Sequence, residues 1–463
     1  MRYSCRSKDQ GALTFAPVMD WSHLLSYERP DAPEKGKADP LRNDFERDHD
    51  RIVFSSAFRS LQDKTQVVPL PEHDFVHTRL THSLETSCVG RSLGKMAAEH
   101  LLRDHQELKE QGFEHGDLGA IVAAACLAHD IGNPPFGHSG EKAIGSFFRD
   151  GIGQRLRAQV GDDQAWKDLT DFEGNANGFR ILTHSEGTPT PTLTCATLGA
   201  FTKYPCPSDR PAREHVASKK FGFFKADENV FGSVAEKLAL EPFGDGKGWV
   251  RHPLAFLVEA ADDICYSIID LEDGLRAGLI PKKDGENLLK EAIGKDLDEA
   301  RLDQLKEGDP RWSYLRAKAI NVLVADAAEA FAEHETAIRT GTMDRSLIKC
   351  MERGKTVKKI KALSFEKVYR SKKVLEIEAA GFEVIGGLLE IFTNASLAAL
   401  KEETDPRQEK ILELLPAPLQ GPGKGKELEV YERLLDICGY VSGMSDSSAL
   451  SLYRKLKGIE LPT

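Results

Sequence analysis

The sequence of 463 residues predicts an all-helical fold. Apolar residues recur with the period of an α-helix over several long segments, whereas the strict alternation of a β-strand is scarce. One segment, residues 117–130, is apolar nearly all round and is therefore expected in the middle of a core. No internal repeat is visible. Together these observations favour a globular protein whose helices pack around that segment.

Composition and charge exclude several classes of protein. With 40% hydrophobic and 29% charged residues, the chain is neither disordered nor fibrous. The formal net charge is -11, so no global basic field draws the chain onto nucleic acid or an anionic membrane, and any anion site must be local. The eight cysteines form no C-x-x-C pair, and neither a secretory h-region nor an apolar membrane span is present. We therefore expect a cytoplasmic protein with no membrane partner.

The first elements are an irregular arm and two helices. Residues 1–50 mix proline, glycine and charge without an apolar period, which predicts an irregular N-terminal arm. A core is expected to begin at residue 51. Two amphipathic helices are predicted there, with apolar faces that comprise Val53, Phe58 and Leu61 in the first and Leu84, Cys88, Leu93 and Ala97 in the second.

The apolar third helix is expected to end at His129-Asp130. Gly132, Pro134 and Pro135 follow, and these residues break a helix. The segment GHSGEKAIGSFF, from Gly137, is expected to start the next helix.

The rest of the chain divides into a loop-rich insertion and a second helical region. Residues 150–230 are rich in Gly, Pro, Thr and Asn, which predicts loops with short helices. Helical periods return after Trp249, over about 252–275, 312–340 and 372–400, and 415–426 read as a linker. We therefore expect a core at 51–280 that contains the insertion, and a C-terminal helical region at 281–463. Positive charge concentrates in the insertion at Lys203, Arg210, Arg213, Lys219, Lys220 and Lys225.

His129-Asp130 is the strongest local cluster for metal chemistry. Burying an adjacent imidazole and carboxylate is costly unless they have partners, and both groups are ligands of divalent first-row metals. The alternative is structural: His129 would interact with the helix dipole and Asp130 would pair with an arginine.

Two further histidines lie near charged residues at helical spacing. His138 precedes Glu141 by three residues, and a carboxylate that orients an imidazole is a general acid/base arrangement. The alternative is an exposed histidine near a capping glutamate. His82 lies three residues after Arg79 on the second helix, although a lone helix histidine is more often structural.

A polar stripe interrupts the apolar helix near residue 265. Asp262, Tyr266 and Asp270 fall at i, i+4 and i+8 and so share one face. Asp263 lies about 100° round the helix. Periodicity alone leaves open which of the two adjacent aspartates faces inward.

The order His82, His129-Asp130, Asp262 resembles the H…HD…D pattern of HD-domain metal-dependent phosphohydrolases. More specific strings are similar to those of the deoxyguanosine triphosphate triphosphohydrolase (dGTPase) family: FSSAFRSLQDKTQV, TRLTHSLE, LAHDIGNPPFGHSGE, FEGNANGFRIL, TLTCATLGAFTKYP, KFGFF and EAADDICYSIIDLED. The resemblance extends from about MDWSHLL to about EVIGGLLEIF. It implies an HD-domain helical core with additional helices, in an enzyme that converts dGTP, or other dNTPs, into deoxynucleoside and tripolyphosphate.

The resemblance also implies roles for residues at matching positions. The metal ligands would be His82, His129, Asp130 and Asp262, and Asp262 is chosen over Asp263 because the family's ligand lies four residues before the tyrosine. His138 would be the catalytic histidine near the α-phosphate, with Glu141 as its partner.

The substrate would meet a further set of residues. Gln66 is implied at the sugar and Lys203 and Tyr204 near the phosphates; the other implied contacts are Arg79, Lys220, Tyr266 and Asp270, with Glu378 at the base. Tyr266 beside the deoxyribose and Gln66 at its 3′-hydroxyl would disfavour a 2′-hydroxyl by crowding.

The donor set suits Mn(II) or Mg(II), with Fe(II), Co(II) or Ni(II) as alternatives. The resemblance also implies a homo-oligomer such as a hexameric ring. The basic and aromatic residues of KKFGFFK at 219–225 suggest single-stranded DNA as a secondary ligand. The lysines of the insertion would help neutralise the triphosphate. Protonation of the leaving 5′-oxygen by His138 would accelerate the reaction.

Two other functions are compatible with parts of the sequence. One is an HD-type 5′-nucleotidase or phosphodiesterase, although a monophosphate needs less positive charge than residues 203–225 supply. The other is a non-catalytic protein that binds nucleotides or single-stranded nucleic acid, for which KKFGFFK at 219–225 offers basic residues interleaved with aromatics.

Overall fold

We describe the fold from a computed structural model. The described residues are 18–30, 42–66, 77–184, 192–210, 215–243, 246–306, 308–422 and 428–460. Of the residues named above, Arg213, most of the first 41 residues and the end of the linker at 423–426 lie outside them.

The protein is all-helical, as the sequence predicts. Within the described ranges, β-type pairing is limited to the isolated bridges Thr65 with Thr78 and Pro242 with Trp249. The helices of the N-terminal half are α1 (Trp21–Leu24), α2 (Asp44–Phe54), α3 (Ser56–Arg59), α4 (Arg79–Asp104), α5 (Gln106–Glu110), α6 (His115–Ala128), α7 (Gly137–Arg149), α8 (Arg157–Val160), α9 (Asp163–Thr170), α10 (Gly174–Thr183), α11 (Cys195–Phe201) and α12 (Glu228–Lys237).

The C-terminal half contains the longest helices. They are α13 (Ala255–Arg276), α14 (Lys282–Ile293), α15 (Glu299–Asp303), α16 (Asp309–Glu333), α17 (Glu335–Arg339), α18 (Gly354–Ser364), α19 (Lys372–Leu400), α20 (Pro406–Leu412), α21 (Ala417–Gln420), α22 (Glu429–Ser442) and α23 (Asp446–Leu456). Single turns of 3₁₀-helix lie at Ser60–Asp63, Ile152–Leu156, Val216–Ser218, Lys225–Asp227, Gly294–Asp296 and Leu347–Lys349, and a π-helical turn lies at Phe365–Tyr369.

Helix α6 is the centre of the main core, as its composition predicts. Its residues from Leu118 to Ala128 are buried except Ala120, and α2, α4, α11 and α13 pack around it. Helix α4 approaches it closely at Gly90, where an added Cβ would lie 2.4 Å from the Sγ of Cys126. This close packing holds α4, α6 and α13 in fixed relation, and these three helices carry the predicted metal ligands.

A second apolar cluster contains α7, α9, α19 and α22. The prediction of a linker at 415–426 is wrong for residues 415–420. Residues 417–420 form α21, and Leu415 and Leu419 are buried in this cluster. Residues 150–230 do contain short helices joined by loops, as predicted.

The prediction of an irregular arm over residues 1–50 is wrong for residues 44–50. Asn43 caps a helix there by accepting the N–H of Glu46, and Phe45 is fully buried. The helix predicted from residue 52 continues this one and ends at Phe54, since Ser55 adopts an extended conformation and caps α3. The sequence signal was weak because charged residues surround the single buried phenylalanine.

The predicted core face of α4 is also partly wrong. Leu84 and Cys88 are exposed, whereas Leu93 and Ala97 are buried as expected. The buried face of the first turns is polar instead and includes His82, Ser83 and Thr86. A polar buried face reverses the usual pattern, and one of its residues, His82, faces Asp262 of α13.

None of the helices formed by the described residues is both long enough and apolar enough to cross a membrane.

His252 gives the fold a specific pH dependence. Its Nε2–H donates to the carbonyl of Leu24 at 3.0 Å, and its Nδ1 accepts the N–H of Leu254 at 3.1 Å. Burial lowers the pKa of His252 from 6.5 to about 4. Between these values the unfolded chain binds a proton that the folded protein does not, so stability is lost as the pH falls through this window.

We expect the free energy of unfolding to decrease by about 3 kcal/mol because of His252 as the pH falls from 7 to 4. The measurement is urea unfolding at several pH values, with His252→Gln as the comparison because it cannot titrate there. Equal slopes of stability against pH in the two proteins would contradict the assignment.

Candidate active site

One cavity of about 360 Å³ collects most of the predicted functional residues. It lies between α4, the loop after α6, α13 and the start of α19. Its lining comprises Thr65, Gln66, Arg79, His129, Asp130, Asn133, Phe136, Gly137, His138, Glu141, Glu173, Asn175, Ala200, Phe201, Lys203, Tyr204, Lys220, Ala255, Val258, Glu259, Asp262, Tyr266, Tyr369, Val374 and Glu378. The size falls within the range of small-molecule sites.

Four ligand-type side chains from three segments meet at the inner end of the cavity. Donor atoms of His82, His129 and Asp130 all lie within 4.8 Å of one another. Asp262 Oδ1 lies 3.2 Å from His82 Nε2 and 3.5 Å from His129 Nε2. These are the four residues that the family resemblance implies as metal ligands.

The end of α6 orients His129 and Asp130. The Nδ1–H of His129 donates to the carbonyl of Cys126 at 2.6 Å, and its Nε2 faces Asp262 Oδ1 at 3.5 Å. Asp130 accepts hydrogen bonds from Arg79 at 2.8 Å and from the side chain of Asn133 at 2.5 Å. The loop then continues through Gly132, where an added Cβ would lie 2.1 Å from the carbonyl oxygen of Gly174. The glycine therefore permits the close contact between this loop and α10.

The adjacent aspartates of α13 have different surroundings. Asp262 faces the two histidines, whereas Asp263 forms an ion pair of 2.5 Å with Lys361 of α18. Desolvation in the cavity opposes ionisation of Asp262, but the neighbouring His129 and His82 hold its pKa well below the usual range. Asp262 is thus a carboxylate at neutral pH, as a metal ligand must be.

The chemistry of this donor set fits a divalent first-row metal. Two imidazoles and two carboxylates are common ligands for such ions, and the hydrogen bond from His129 Nδ1 is the orienting contact that metal-bound histidines usually make. Each carboxylate oxygen has a second lone pair, so the bonds from Arg79 and Asn133 leave Asp130 able to bind a metal.

His138 lies at the mouth of the same cavity, in the first turn of α7. Its Nδ1 lies 2.8 Å from Glu141 Oε2, and Glu141 Oε1 accepts the N–H of Gly174 at 2.8 Å. The imidazole is 79% exposed, so its Nε2 side is open to a bound molecule. Burial opposes ionisation of Glu141, but the bond from His138 and the charge of Lys220 lower its pKa. A charged Glu141 therefore fixes the ring orientation of His138.

The cations of the cavity are fewer than the insertion's composition predicts. Lys203 and Lys220 line the cavity and pair with Glu259 at 3.2 Å and Glu173 at 2.9 Å. Lys225 instead pairs with Asp162, and it is not among the lining residues. Arg210 donates to backbone carbonyls of its own loop, and Arg213 lies outside the described residues. Arg79, from α4, supplies a third cation to the cavity.

Polar and aromatic groups form the outer part of the cavity. Gln66 Oε1 is buried and accepts no hydrogen bond from the described residues. The ring of Tyr266 stacks on that of Tyr369 with centroids 5.9 Å apart. Asp270, predicted to contact substrate, does not line the cavity; it accepts the hydroxyl of Tyr369 at 2.5 Å, and burial raises its pKa to about 7. Asp270 therefore touches the cavity only through Tyr369.

Three of the lining residues that the sequence did not predict interact with predicted ones. Tyr369 lies at the end of the π-helical turn, and nothing in the string FEKVYRSKK suggests a functional tyrosine. Glu259 and Glu173 pair with the cavity lysines. Glu259 lies three residues before Asp262 on α13, so helical spacing could have placed it on the same face.

The aromatic residues of KKFGFFK do not form a nucleic-acid surface. Phe221, Phe223 and Phe224 are 2%, 0% and 0% exposed, so they belong to the core. This removes the one observation that favoured a non-catalytic nucleic-acid-binding protein.

Comparisons with known proteins agree with this geometry. Residues 79–165 match the HD domain, and residues 351–455 match the phosphohydrolase-associated domain. The deoxyguanosinetriphosphate triphosphohydrolase-like protein of Synechocystis sp. is 41% identical over 455 residues, with 96% of this chain and 100% of that protein covered. A protein of the same description from Pseudomonas aeruginosa is 39% identical over 457 residues, with the same coverage. The deoxyguanosinetriphosphate triphosphohydrolase of Klebsiella pneumoniae is 32% identical over 483 residues, which cover 90% of this chain and 94% of that one.

Proposed function

We propose, since this chain belongs to the deoxyguanosinetriphosphate triphosphohydrolase family, that it hydrolyses dGTP, and other dNTPs, to deoxynucleoside and tripolyphosphate. As a metal-dependent phosphohydrolase it needs a metal site, an acid/base group and a source of positive charge. The observation that carries the proposal is that one cavity of about 360 Å³ is lined by metal-ligand candidates, an oriented histidine and three cations.

Three cations of the cavity support a polyphosphate substrate. Lys203, Lys220 and Arg79 line a cavity in a protein of net charge -11. Glu259 and Glu173 pair with the two lysines, and Asp130 pairs with Arg79, so each cation is already positioned before substrate binds. Charge-assisted hydrogen bonds from such groups to phosphate oxygens are short and strong.

In the proposed reaction a water molecule attacks the α-phosphorus and the sugar 5′-oxygen leaves. An alkoxide is a poor leaving group, so a proton donated by His138 Nε2 stabilises the transition state. Glu141 accepts the Nδ1–H and keeps the ring in the orientation that this transfer needs. A divalent metal held by His82, His129, Asp130 and Asp262 would supply positive charge and a water molecule of lowered pKa.

Discrimination for deoxyribose would come from Gln66 and the stacked tyrosines. The Oε1 atom of Gln66 is buried and accepts no hydrogen bond from the described residues. It could therefore accept a hydrogen bond from the 3′-hydroxyl of the sugar. The stacked rings of Tyr266 and Tyr369 would crowd a 2′-hydroxyl. We therefore expect dGTP to be hydrolysed and GTP to be rejected.

The test is to incubate the purified chain with each dNTP and with GTP, in Mn(II) or Mg(II), and to identify the phosphate product by phosphorus NMR. Tripolyphosphate with free deoxynucleoside is the expected result, and the rates rank the bases. Pyrophosphate or orthophosphate would overturn the proposed site of attack and favour the nucleotidase or phosphodiesterase alternative. Hydrolysis of GTP at the rate of dGTP would contradict the role of the tyrosines.

We further propose single-stranded DNA as a secondary ligand and a homo-oligomer, such as a hexamer, as the assembly. Residues 349–373 contain ten lysines or arginines and two glutamates, and Lys355, Lys358 and Lys372 are exposed. Phosphate contacts of such a surface depend on salt. Fluorescence polarisation with labelled oligo(dT) should show binding that weakens in Lys355→Glu/Lys358→Glu/Lys372→Glu. Equal binding by this variant and by wild type would exclude this surface as the DNA-binding site. Light scattering, which measures the mass of the particle, tests the proposed oligomer.

A further inference from the structure

The C-terminal region contacts both loops that precede the functional residues His138 and Gln66. The side chain of Asp446, at the start of α23, is 1% exposed. Its Oδ1 accepts the N–H of Phe136 at 3.0 Å. Its Oδ2 accepts the N–H of Thr65 at 3.1 Å and the hydroxyl of Thr65 at 2.5 Å. A single carboxylate therefore receives hydrogen bonds from two segments that are far apart in sequence.

Lys64 joins the same segments a second time. This lysine is 1% exposed, and its Nζ donates to the carbonyl of Asn133 at 2.8 Å and to the carbonyl of Ser442 at 2.6 Å. Asn133 in turn donates its side-chain N–H to Asp130 at 2.5 Å. The turn between α22 and α23 is thus connected to the loop that runs from Asp130 to His138.

The backbone of this loop needs such contacts. Phe136 has φ 62° and Gly137 has φ 58°, so two consecutive residues adopt the left-handed conformation immediately before His138. A non-glycine residue keeps this conformation only where its surroundings hold it. The bond from the Phe136 N–H to Asp446 is one such contact, and the approach of Gly381 of α19 to the Phe136 ring is another.

We propose that Asp446 is a positioning residue for hydrolysis, which sets the start of α7, with His138, and the Thr65–Gln66 segment in their places relative to each other. The inference rests on the proposed function, because His138 and Gln66 are the groups positioned. Asp446 belongs to the phosphohydrolase-associated domain at residues 351–455 and does not line the cavity. This domain would therefore contribute to hydrolysis by positioning residues of the HD domain and of the segment before it.

The test compares Asp446→Asn with wild type at saturating dNTP, well below the melting temperature. An amide has one acceptor atom instead of two, so it cannot serve both loops as the carboxylate does. We expect kcat to fall at least about tenfold, since small displacements of a catalytic group are costly. A contact with only a structural role would lower the melting temperature and leave the kcat of the folded molecules unchanged. A kcat within about twofold of wild type would therefore overturn the proposal.

Two other variants sharpen the comparison. Asp63→Asn is the matched control, because Asp63 accepts the hydroxyls of Ser445 and Ser447 and so joins the segment of Thr65 to the start of α23 at the exposed surface, without contacting the loop of Phe136. It should keep the kcat of wild type. Thr65→Val removes one hydrogen bond and no charge, and keeps the proposal testable if Asp446→Asn does not fold. It should raise KM about threefold or more, with kcat little changed, because only the Gln66 side is affected.

Hydrogen exchange gives a readout that does not depend on activity. The Phe136 amide should exchange slowly in wild type and in Asp63→Asn, and faster in Asp446→Asn, as measured by mass spectrometry on peptides that cover 131–140. A loss of kcat with unchanged exchange would overturn the positioning role. If wild type hydrolyses no dNTP, the proposed function fails, and the exchange rates still decide whether Asp446 holds this loop.

Discussion

Replacing Asp262 with asparagine is expected to lower the affinity for Mn(II) at least about 100-fold and to abolish dNTP hydrolysis with it. The reason is that Asp262 is the carboxylate nearest to both histidines, at 3.2 Å from His82 Nε2 and 3.5 Å from His129 Nε2. An amide offers one neutral oxygen in place of the charged ligand. Titration of Mn(II) by electron paramagnetic resonance measures the affinity without reference to activity.

Asp263→Asn is the matched control for this experiment. The same substitution one residue later removes the ion pair with Lys361, which lies outside the ligand cluster. We expect Mn(II) affinity within about threefold of wild type and a reduction in kcat of less than tenfold, since about 1 kcal/mol is typical of such a pair. The assignment of the ligand is wrong if Asp263→Asn loses the metal and Asp262→Asn keeps it.

Replacing His138 with alanine should reduce kcat for dGTP by about 10² to 10⁴, with Mn(II) affinity unchanged. His138 is the one histidine of the cavity lining that contacts neither Asp130 nor Asp262 in the described residues, and its partner is Glu141 at 2.8 Å. Glu141→Gln should have a smaller effect, because the imidazole remains and only its orientation is less restricted.

A substrate with a good leaving group distinguishes proton donation by His138 from other roles of this residue. In bis(p-nitrophenyl) phosphate the leaving p-nitrophenolate needs no protonation. His138→Ala and wild type should therefore hydrolyse it at rates within about threefold of each other. An equal loss on both substrates would show that His138 does not protonate the leaving oxygen, and an unchanged kcat for dGTP would remove it from the mechanism.

The fold class could be predicted from sequence because the relevant signals are local, whereas the predicted cavity residues rest on the family resemblance. The all-apolar character of α6 placed it in the core, and Gly132 with the prolines after it predicted where the helix ends. The choice between Asp262 and Asp263 could not be made from periodicity. It depends on which helix packs on each side of α13, and Lys361 of α18 turns out to be the partner of Asp263.

Contacts between distant segments account for what the sequence did not predict. Leu84 and Cys88 suggested an apolar face on α4, but the buried face there is polar and includes His82, which faces Asp262 of α13. Tyr369 lines the cavity, and its ring stacks on that of Tyr266, more than 100 residues earlier in the chain. No local pattern contains this information, since it depends on how α13 and the π-helical turn are arranged.

The contacts of Ser442 and Asp446 have a consequence for the order of events during synthesis. The chain emerges from the ribosome with its N-terminus first, so the histidines and aspartates of the cavity emerge long before Ser442 and Asp446. A nascent chain, or a product of premature termination before residue 442, would lack the partners of Lys64, Thr65 and Phe136. The segments that carry Gln66 and His138 would then reach their final positions only when translation is nearly complete.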